Sequence, residues 1–253
     1  MARRTSIDII WPFVRIATTG LVVAAVVAQL VRTVERALVA ETAHAGHLPT
    51  VITNFLSYFT IQSNIAAAVV LAIAAFWAWG RGRDADAEPH GLAIALVCVS
   101  TYMIVTGIVY NTLLRGVALD QGVTVPWSNE VLHVVVPVIL LIDVLVAPRR
   151  RAVRWSAVGI VAVYPIAWAV YTLIRAPFIV APATGNPYWY PYPFLDPHLV
   201  TGGYLGVAGY IAGIAIAIVG VGFLVVAAGR WRAGPLAAPP AAAADDDDEV
   251  MNG

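Results

Sequence analysis

The sequence is short of charged residues. They make up 12% of its 253 residues, whereas hydrophobic residues make up 60%. A soluble domain carries about 25% charged residues, so this composition excludes an ordinary soluble protein. The net charge is zero and no basic patch with interleaved aromatic residues occurs, so nothing in the sequence indicates a nucleic-acid partner.

Lysine is absent and cysteine occurs once. All fifteen basic residues are arginine, and together with the abundant Ala, Val and Gly this is typical of a GC-rich bacterium. Cys98 lies within an apolar run, and as the single cysteine it excludes an internal disulfide. The sequence also lacks a G-x-S-x-G elbow, which excludes an α/β-hydrolase, and it has no Gly-rich phosphate loop.

Long apolar runs dominate what the sequence does contain. Each is close to the ~20 residues that a helix needs to cross a bilayer. Unpaired backbone groups are costly in hydrocarbon, so these segments must be helical, and the period-2 alternation of a membrane barrel is absent. We therefore predict an all-α polytopic membrane protein, one bundle of six transmembrane helices at about 11–31, 51–79, 91–114, 129–147, 155–175 and 203–228.

Arginine placement predicts the orientation of the bundle. Ten arginines fall at one end of the predicted helices, namely Arg3, Arg4, Arg81, Arg83, Arg149, Arg150, Arg151, Arg154, Arg230 and Arg232. Only Arg32, Arg36, Arg115 and Arg175 fall at the other end, and Arg15 lies inside the first segment. By the positive-inside rule both termini are cytoplasmic, and the loops 32–50, 115–128 and 176–202 face outward. In a bacterium, this places the protein in the inner membrane.

Two segments differ in composition from the helices. Residues 1–232 form the predicted transmembrane domain, and 233–253 form a tail rich in Ala, Pro and Asp that we expect to be disordered. The outer loop 176–202 contains "NPYWYPYPFLDP", which is dense in aromatic residues and proline. This loop is either an interfacial aromatic belt or a lid over a cavity.

Polar residues form a stripe along the second apolar segment. Thr53, Ser57, Thr60 and Asn64 are spaced i, i+4, i+7 and i+11, which puts them on one face of a continuous helix, whereas Gln62 projects elsewhere. In membrane helices such residues often only bond back to the i−4 carbonyl or hold helices together. The stripe is therefore either a structural seam or one wall of a functional site.

His133 is the only histidine within a predicted span. Asn129 and Glu130 precede it by four and three residues, so either can hydrogen-bond one imidazole nitrogen and set the tautomer. Pro137, one turn later, frees a carbonyl and can kink the helix. A lone histidine lacks the second axial ligand of a bis-histidine haem, and no set of metal ligands is evident. We expect neither a cofactor nor a metal ion.

The predicted topology brings hydroxyl and imidazole groups to the same half of the membrane. Thr60 lies about 14 Å and His133 about 7 Å in from the outer ends of parallel helices, so a tilt brings them level. Tyr110 and Asn111, near the outer end of the third helix, are either candidates for stabilising an oxyanion or residues that only pack between helices. Asp143, near the opposite end, is expected to pair with the arginines that follow it.

These motifs resemble a known family. "SYFTIQSN", "NEVLHVVVPVILLID" and "YWYPYPF" are similar to the androgen-induced-gene family of multi-pass membrane proteins, and more closely to its bacterial relatives. The resemblance spans roughly 11–228. The animal members hydrolyse fatty acid esters of hydroxy fatty acids, using a threonine in a Y-x-T step and a histidine followed by a proline. The resemblance implies that Thr60 is the nucleophile and His133 the base.

Three hypotheses about function follow. The first is an intramembrane hydrolase that takes a lipid ester from among its membrane-lipid partners and cleaves it with Thr60 and His133. Supporting roles in that site are assigned to Asn129, Glu130, Tyr110, Asn111, Ser57 and Asn64. The second is a non-enzymatic transporter or lipid-binding protein that uses the same cavity. The third is a structural protein, in which the polar stripe only holds helices together.

Overall fold

A computed structural model describes residues 5–117 and 124–233, and every regular element within them is helical. Six helical stretches are long and apolar enough to cross a membrane, which confirms the predicted all-α polytopic fold. They are Ser6–Val39, Phe59–Trp79, His90–Leu114, Pro126–Val146, Ala157–Phe178 and Tyr204–Ala233. Ala233 thus ends the last helix, and the rest of the predicted tail lies outside the described residues.

The elements are numbered along the chain. The α-helices are α1 (Ser6–Val39), α2 (Leu48–Ser57), α3 (Phe59–Trp79), α4 (His90–Val109), α5 (Pro126–Glu130), α6 (Val136–Val146), α7 (Ala157–Arg175) and α8 (Tyr204–Ala233). Two π-helical turns, Tyr110–Leu114 and Val131–Val135, extend α4 and join α5 to α6. Short 3₁₀ turns occupy Ala176–Phe178 and Pro193–Leu195.

Helix α4 lies at the centre of the bundle. It packs against α3, α6, α7 and α8, while α1 lies along α3. The outward faces of α1 and α8 carry large exposed apolar side chains, such as Phe13, Val27, Leu205, Ile216 and Leu224. Exposed apolar faces of this length are what helices in contact with lipid chains require.

The second predicted helix is broken, which corrects the prediction of one continuous helix at 51–79. Tyr58 has an extended backbone, with φ −67° and ψ 128°, and separates α2 from α3. The backbone groups freed at the break find side-chain partners, since Gln62 Nε2 donates to the Leu56 carbonyl and Trp168 Nε1 donates to the Ser57 carbonyl. Irregular backbone is tolerated at membrane depth when protein groups satisfy it in this way.

The two π-turns lie side by side. In the turn Val131–Val135 the N–H of Val136 donates to the Val131 carbonyl, five residues back. The next carbonyl, that of Leu132, would need an N–H at position 137, but Pro137 has none. Gly107 on α4 allows the close approach, because a Cβ at Gly107 would stand 2.9 Å from the Pro137 Cβ. π-Turns of this kind are frequent at functional sites.

The two ends of the bundle differ in character. The arginine end comprises 80–89 and 147–156 with the end of α8, and it holds a buried ion cluster. As expected, Asp143 pairs with the following Arg150, at 2.7 Å, and it also pairs with Arg15, at 2.8 Å. The opposite end, here the loop end, comprises 40–47 and 179–203. Three cavities lie toward the loop end.

Candidate functional site

A cavity of about 120 Å³, here the central cavity, lies among α3, α4, α7 and α8 toward the loop end. Its walls are almost entirely apolar, formed by residues such as Phe59, Val105, Val109, Ile166, Ile211, Ile214 and Ile218. The polar side chains that line it are Thr60, Thr106, Tyr110, His133, Trp168 and Tyr192. The structure therefore brings the two predicted catalytic residues to one cavity, from helices more than seventy positions apart in the chain.

Thr60 lies in the first turn of α3, directly after the break at Tyr58. Its N–H is one of the helix-terminal donors that have no intrahelical partner, and it donates to the Tyr192 hydroxyl at 3.2 Å. The Thr60 Oγ1 and the same Tyr192 hydroxyl are 3.3 Å apart. The break thus exposes a threonine hydroxyl and the positive end of a helix to the same cavity.

His133 lies in the π-turn between α5 and α6, and its tautomer follows from its partner. Its Nδ1 is 2.9 Å from the Asn129 carbonyl, which can only accept, so Nδ1 carries the proton. Nε2 is then the unprotonated nitrogen, and no group within 5–117 or 124–233 hydrogen-bonds it. An imidazole held in this tautomer with a free Nε2 has the form of a general base.

Tyr110 fixes the plane of the imidazole. The two rings stack at 4.1 Å between centroids with an interplanar angle of 25°. The Tyr110 hydroxyl accepts a hydrogen bond from Asn129 Nδ2 at 2.5 Å, so one residue anchors both rings. Asn129 therefore supports His133 as predicted, although the group that sets the tautomer is its backbone carbonyl.

Glu130 and Asn111 have other partners than predicted. Glu130 accepts two hydrogen bonds from Arg115, at 2.9 and 3.0 Å, and makes no bond to the imidazole. The Arg115 Nε also donates to Asn111 Oδ1 at 2.9 Å, and Asn111 does not line the central cavity. The Arg115 guanidinium in turn lies 5.1 Å from the Tyr110 ring centre. Both residues thus bond Arg115 outside the cavity, and neither hydrogen-bonds the Tyr110 or His133 side chain.

Asn64 connects the segment that carries Thr60 to the segment that carries His133. Its Nδ2 donates to the Thr60 carbonyl at 2.9 Å and to the Leu132 carbonyl at 3.2 Å. The second bond satisfies the carbonyl that Pro137 leaves without a partner. Asn64 therefore ties the helix start that carries Thr60 to the π-turn that carries His133.

Ser57 lies on the far side of the helix break and does not line the central cavity. Its hydroxyl donates to the Thr53 carbonyl at 2.7 Å and lies 3.1 Å from the Tyr171 hydroxyl. The predicted stripe is therefore wrong as one continuous face. Thr60 and Asn64 belong to the site, whereas Thr53 and Ser57 belong to a separate helix that ends before it.

Tyr192 is a member of the site that the sequence did not single out. It lies in the aromatic loop, and its ring is 5.4 Å from that of Tyr58. Burial raises the pKa of its phenol, which outweighs the opposing effect of the hydrogen bonds with Thr60, so the hydroxyl stays neutral and protonated. The sequence feature that could have indicated Tyr192 is the high density of aromatic residues in this loop. Tyr192 and Phe194 form one wall of the central cavity, which favours a lid over an interfacial aromatic belt.

A second cavity, here the side cavity, adjoins the first. It has a volume of about 410 Å³ and shares Leu114 and Phe194 with the central cavity. Its other walls include the exposed residues Leu113, Leu199 and Tyr210. The central cavity is thus separated from an exposed apolar surface by two side chains.

Comparisons of the chain with known families, proteins and structures identify no relative. No protein-family model matches the chain, and no curated protein and no solved structure matches it significantly. The site therefore has to be interpreted from its own geometry.

Proposed function

We propose that this protein is a bacterial inner-membrane hydrolase of lipid esters, with Thr60 as nucleophile and His133 as general base. One observation carries the proposal. A threonine hydroxyl at a helix N-terminus and an imidazole with a free Nε2 line the same buried apolar cavity. A nucleophile, a base and a source of positive potential are the parts that acyl transfer requires.

In the first step the Thr60 Oγ1 attacks the ester carbonyl carbon while His133 Nε2 takes the hydroxyl proton. The Thr60 hydroxyl and the imidazole do not hydrogen-bond each other among the described contacts, so the ester binds first and completes the geometry. Apo sites often have such loose contacts that tighten only in the complex.

The oxyanion has two neutral donors within the cavity lining. The Tyr192 hydroxyl accepts from the Thr60 N–H and lies 3.3 Å from the Thr60 Oγ1, so its proton is placed to be donated to the oxyanion that develops beside Oγ1. The Tyr110 hydroxyl accepts from Asn129 and has its proton free in the same way. Removal of one oxyanion donor typically costs about 100- to 1,000-fold in kcat.

Collapse of the tetrahedral intermediate breaks the bond to the leaving alcohol, which takes the proton from the His133 imidazolium. The acyl group then remains on Thr60 as an ester. His133 next activates a water molecule, which attacks that carbonyl and releases the fatty acid with Thr60 restored. The proton taken in each half-reaction is returned in the same half-reaction, so the cycle needs no cofactor.

The substrate class follows from the walls of the site. Nearly all the lining of the central cavity is apolar, which fits an acyl chain, and the few polar groups cluster around Thr60 and His133. The side cavity shares Leu114 and Phe194 with the central cavity and reaches the exposed residues Leu113 and Leu199, so it offers an entry route for the substrate. With the cytoplasmic side at the arginine end, the loop end and both cavities belong to the outer leaflet.

A second candidate function is binding of an apolar ligand without turnover. The observation that favours it is the missing Thr60–His133 hydrogen bond in a cavity that is otherwise suited to an acyl chain. The two functions differ in one measurable property, namely whether Thr60 becomes covalently modified.

The test is covalent labelling of the purified protein in detergent with a long-chain fluorophosphonate, followed by peptide mass spectrometry and by assays on a panel of lipid esters. We expect the adduct on Thr60, no adduct in Thr60→Val, and labelling at least 100-fold slower in His133→Gln. Thr172→Val is the matched control, because Thr172 is also a buried threonine but lies outside the cavities described here.

Labelling that survives Thr60→Val contradicts the mechanism. A different result would assign the cavity to binding alone. In that case no form is labelled or turns over an ester, the wild type retains fatty acyl ligands, and a bulky substitution of Thr106 abolishes this retention.

A further inference from the structure

A third cavity, of about 180 Å³ and here called the Asn54 cavity, lies at the loop end on the side away from Thr60. It is formed where the end of α1 and helix α2 meet the loop after α7. Its walls are Thr33, Arg36, Ala37, Ala40, Ala45, Val51, Asn54, Pro182, Ala183 and Trp189. It shares no residue with the central cavity, so it is a separate site.

Asn54 is the buried polar group of this cavity. Its side chain is 2% exposed, and its Oδ1 accepts a hydrogen bond from Arg175 at 2.6 Å. Because a guanidinium can only donate, the amide oxygen Oδ1 must face Arg175, and the amide nitrogen Nδ2 then points away from Arg175. Nδ2 has no hydrogen-bond partner. Leaving a buried amide donor without a partner costs about 1–3 kcal/mol of folding free energy, and a ligand that accepts a hydrogen bond from Nδ2 would offset this cost.

Two arginines beside Asn54 have no carboxylate partner in the described part of the chain. Arg175 lies over the Trp189 ring at 5.5 Å, and Arg36 lines the cavity itself. The carboxylates that flank Arg36 in the chain do not line the cavity, and Glu35 forms an ion pair with Arg32. The positive charges of Arg36 and Arg175 are therefore not neutralised by any carboxylate among the described residues.

We propose that the Asn54 cavity binds a phosphate group at the loop end of the bundle. The Asn54 amide donates to one phosphate oxygen, Arg36 in the cavity wall pairs with the anion, and Arg175, which bonds Asn54 outside the cavity lining, adds positive potential. Arginine and amide donors around a cavity of this size suit the geometry of a phosphate. The phosphate is that of an anionic phospholipid headgroup or a free phosphate ion. The proposal does not depend on the catalytic role of Thr60.

The experiment measures binding of phosphatidylglycerol, of phosphatidylcholine with the same acyl chains, and of inorganic phosphate to the purified full-length protein by native mass spectrometry. We expect phosphatidylglycerol to bind at least ten times more tightly than phosphatidylcholine. Asn54→Asp places a carboxylate beside Arg175 and repels the anion, so it should lower the affinity for phosphatidylglycerol at least tenfold. Arg36→Gln should lower it about threefold to tenfold.

Arg32→Gln is the matched control, since Arg32 lies one turn away on the same helix and is already paired with Glu35. It should leave phosphatidylglycerol binding unchanged, and melting temperatures establish that each variant is folded. Inorganic phosphate that binds as tightly as phosphatidylglycerol, and is lost in Asn54→Asp, supports the site and identifies the free ion as its ligand. Affinities for phosphatidylglycerol and for inorganic phosphate that Asn54→Asp leaves unchanged overturn the proposal.

Discussion

Thr106 differs from most hydroxyl residues of the membrane helices and, unlike the equally unpartnered Thr172, it lines a cavity. Most of these donate to the carbonyl four residues back, namely Thr18, Thr19, Thr33, Thr53, Ser57, Thr101 and Thr112. The Thr106 hydroxyl is buried, lines the central cavity and has no partner. Because the Thr106 hydroxyl does not donate to the carbonyl four residues back, its O–H can donate to a ligand in the central cavity.

Thr106→Val tests this role. It removes an unpaired buried hydroxyl and keeps the shape, so stability should be unchanged or rise by up to about 1 kcal/mol. If the hydroxyl bonds the ligand, the ratio kcat/KM for a lipid ester should fall about 5- to 20-fold. Thr101→Val is the control on the same helix, because its hydroxyl donates to the Val97 carbonyl at 2.8 Å. Equal activity of Thr106→Val and wild type contradicts the assignment.

Thr60 and His133 were predictable because polar groups are rare in these helices and their depth follows from residue counts. Tyr192 was not, because its hydroxyl meets Thr60 across 132 positions of sequence and only the folded loop brings them together. The sequence likewise offered Glu130 as the partner of His133, and the competing Arg115 lies in another helix. Residue spacing predicts contacts within one helix turn, but it does not predict contacts between helices.

The break at Tyr58 illustrates the same limit for a whole helix. Neither proline nor glycine occurs between 50 and 64, so no local signal interrupts the apolar pattern. The partners that make the break stable come from other parts of the chain, since Trp168 and Tyr192 hold the freed backbone groups of Ser57 and Thr60. By contrast, the irregular turn before α6 did have a local signal in Pro137, because a proline always removes one backbone donor.

Asn64 couples the two irregular elements, and its substitution should separate them. Asn64→Leu removes both bonds and leaves the Leu132 carbonyl without a donor, which should cost about 1–3 kcal/mol of stability. Ester turnover should fall more than tenfold, since Thr60 and His133 lose their common anchor. Asn111→Leu is the control, because its amide bonds only within its own helix end and to the exposed Arg115. A fully active Asn64→Leu variant shows that the coupling does not matter for the site.

The molecule as a whole divides its polar residues between its two ends. At the arginine end, buried charges are matched and hydrogen-bonded, as Asp143 is by Arg15, Arg150 and Trp11. Toward the loop end, Asn54 Nδ2 and the Thr106 hydroxyl are buried without a partner among the described residues, and each lines a cavity. Composition and arginine placement predict that the ends differ in charge, but not that unpartnered buried groups line cavities toward one of them. That contrast favours the loop end as the place where ligands bind.

The two carboxylates of the ion cluster should respond differently to neutralisation. Asp143 is 1% exposed and both of its oxygens accept bonds, so Asp143→Asn leaves Arg150 without a carboxylate partner and Arg15 with Glu88 alone, which should cost about 3–5 kcal/mol. Glu88 has one oxygen bonded to Arg15 and one without a partner. Burial raises the pKa of Glu88, more than the neighbouring arginines lower it.

A raised carboxyl pKa means that the folded protein binds this proton more tightly than the unfolded chain does. Ionisation of Glu88 therefore opposes folding as the pH rises from the unfolded pKa through the folded one. Glu88→Gln keeps an acceptor for Arg15 and removes this effect, so its melting temperature at pH 7 should equal or exceed that of wild type. Melting curves by tryptophan fluorescence in detergent between pH 5 and 8 check both variants. Loss of stability in Glu88→Gln as large as in Asp143→Asn would mean that the cluster depends equally on both charges.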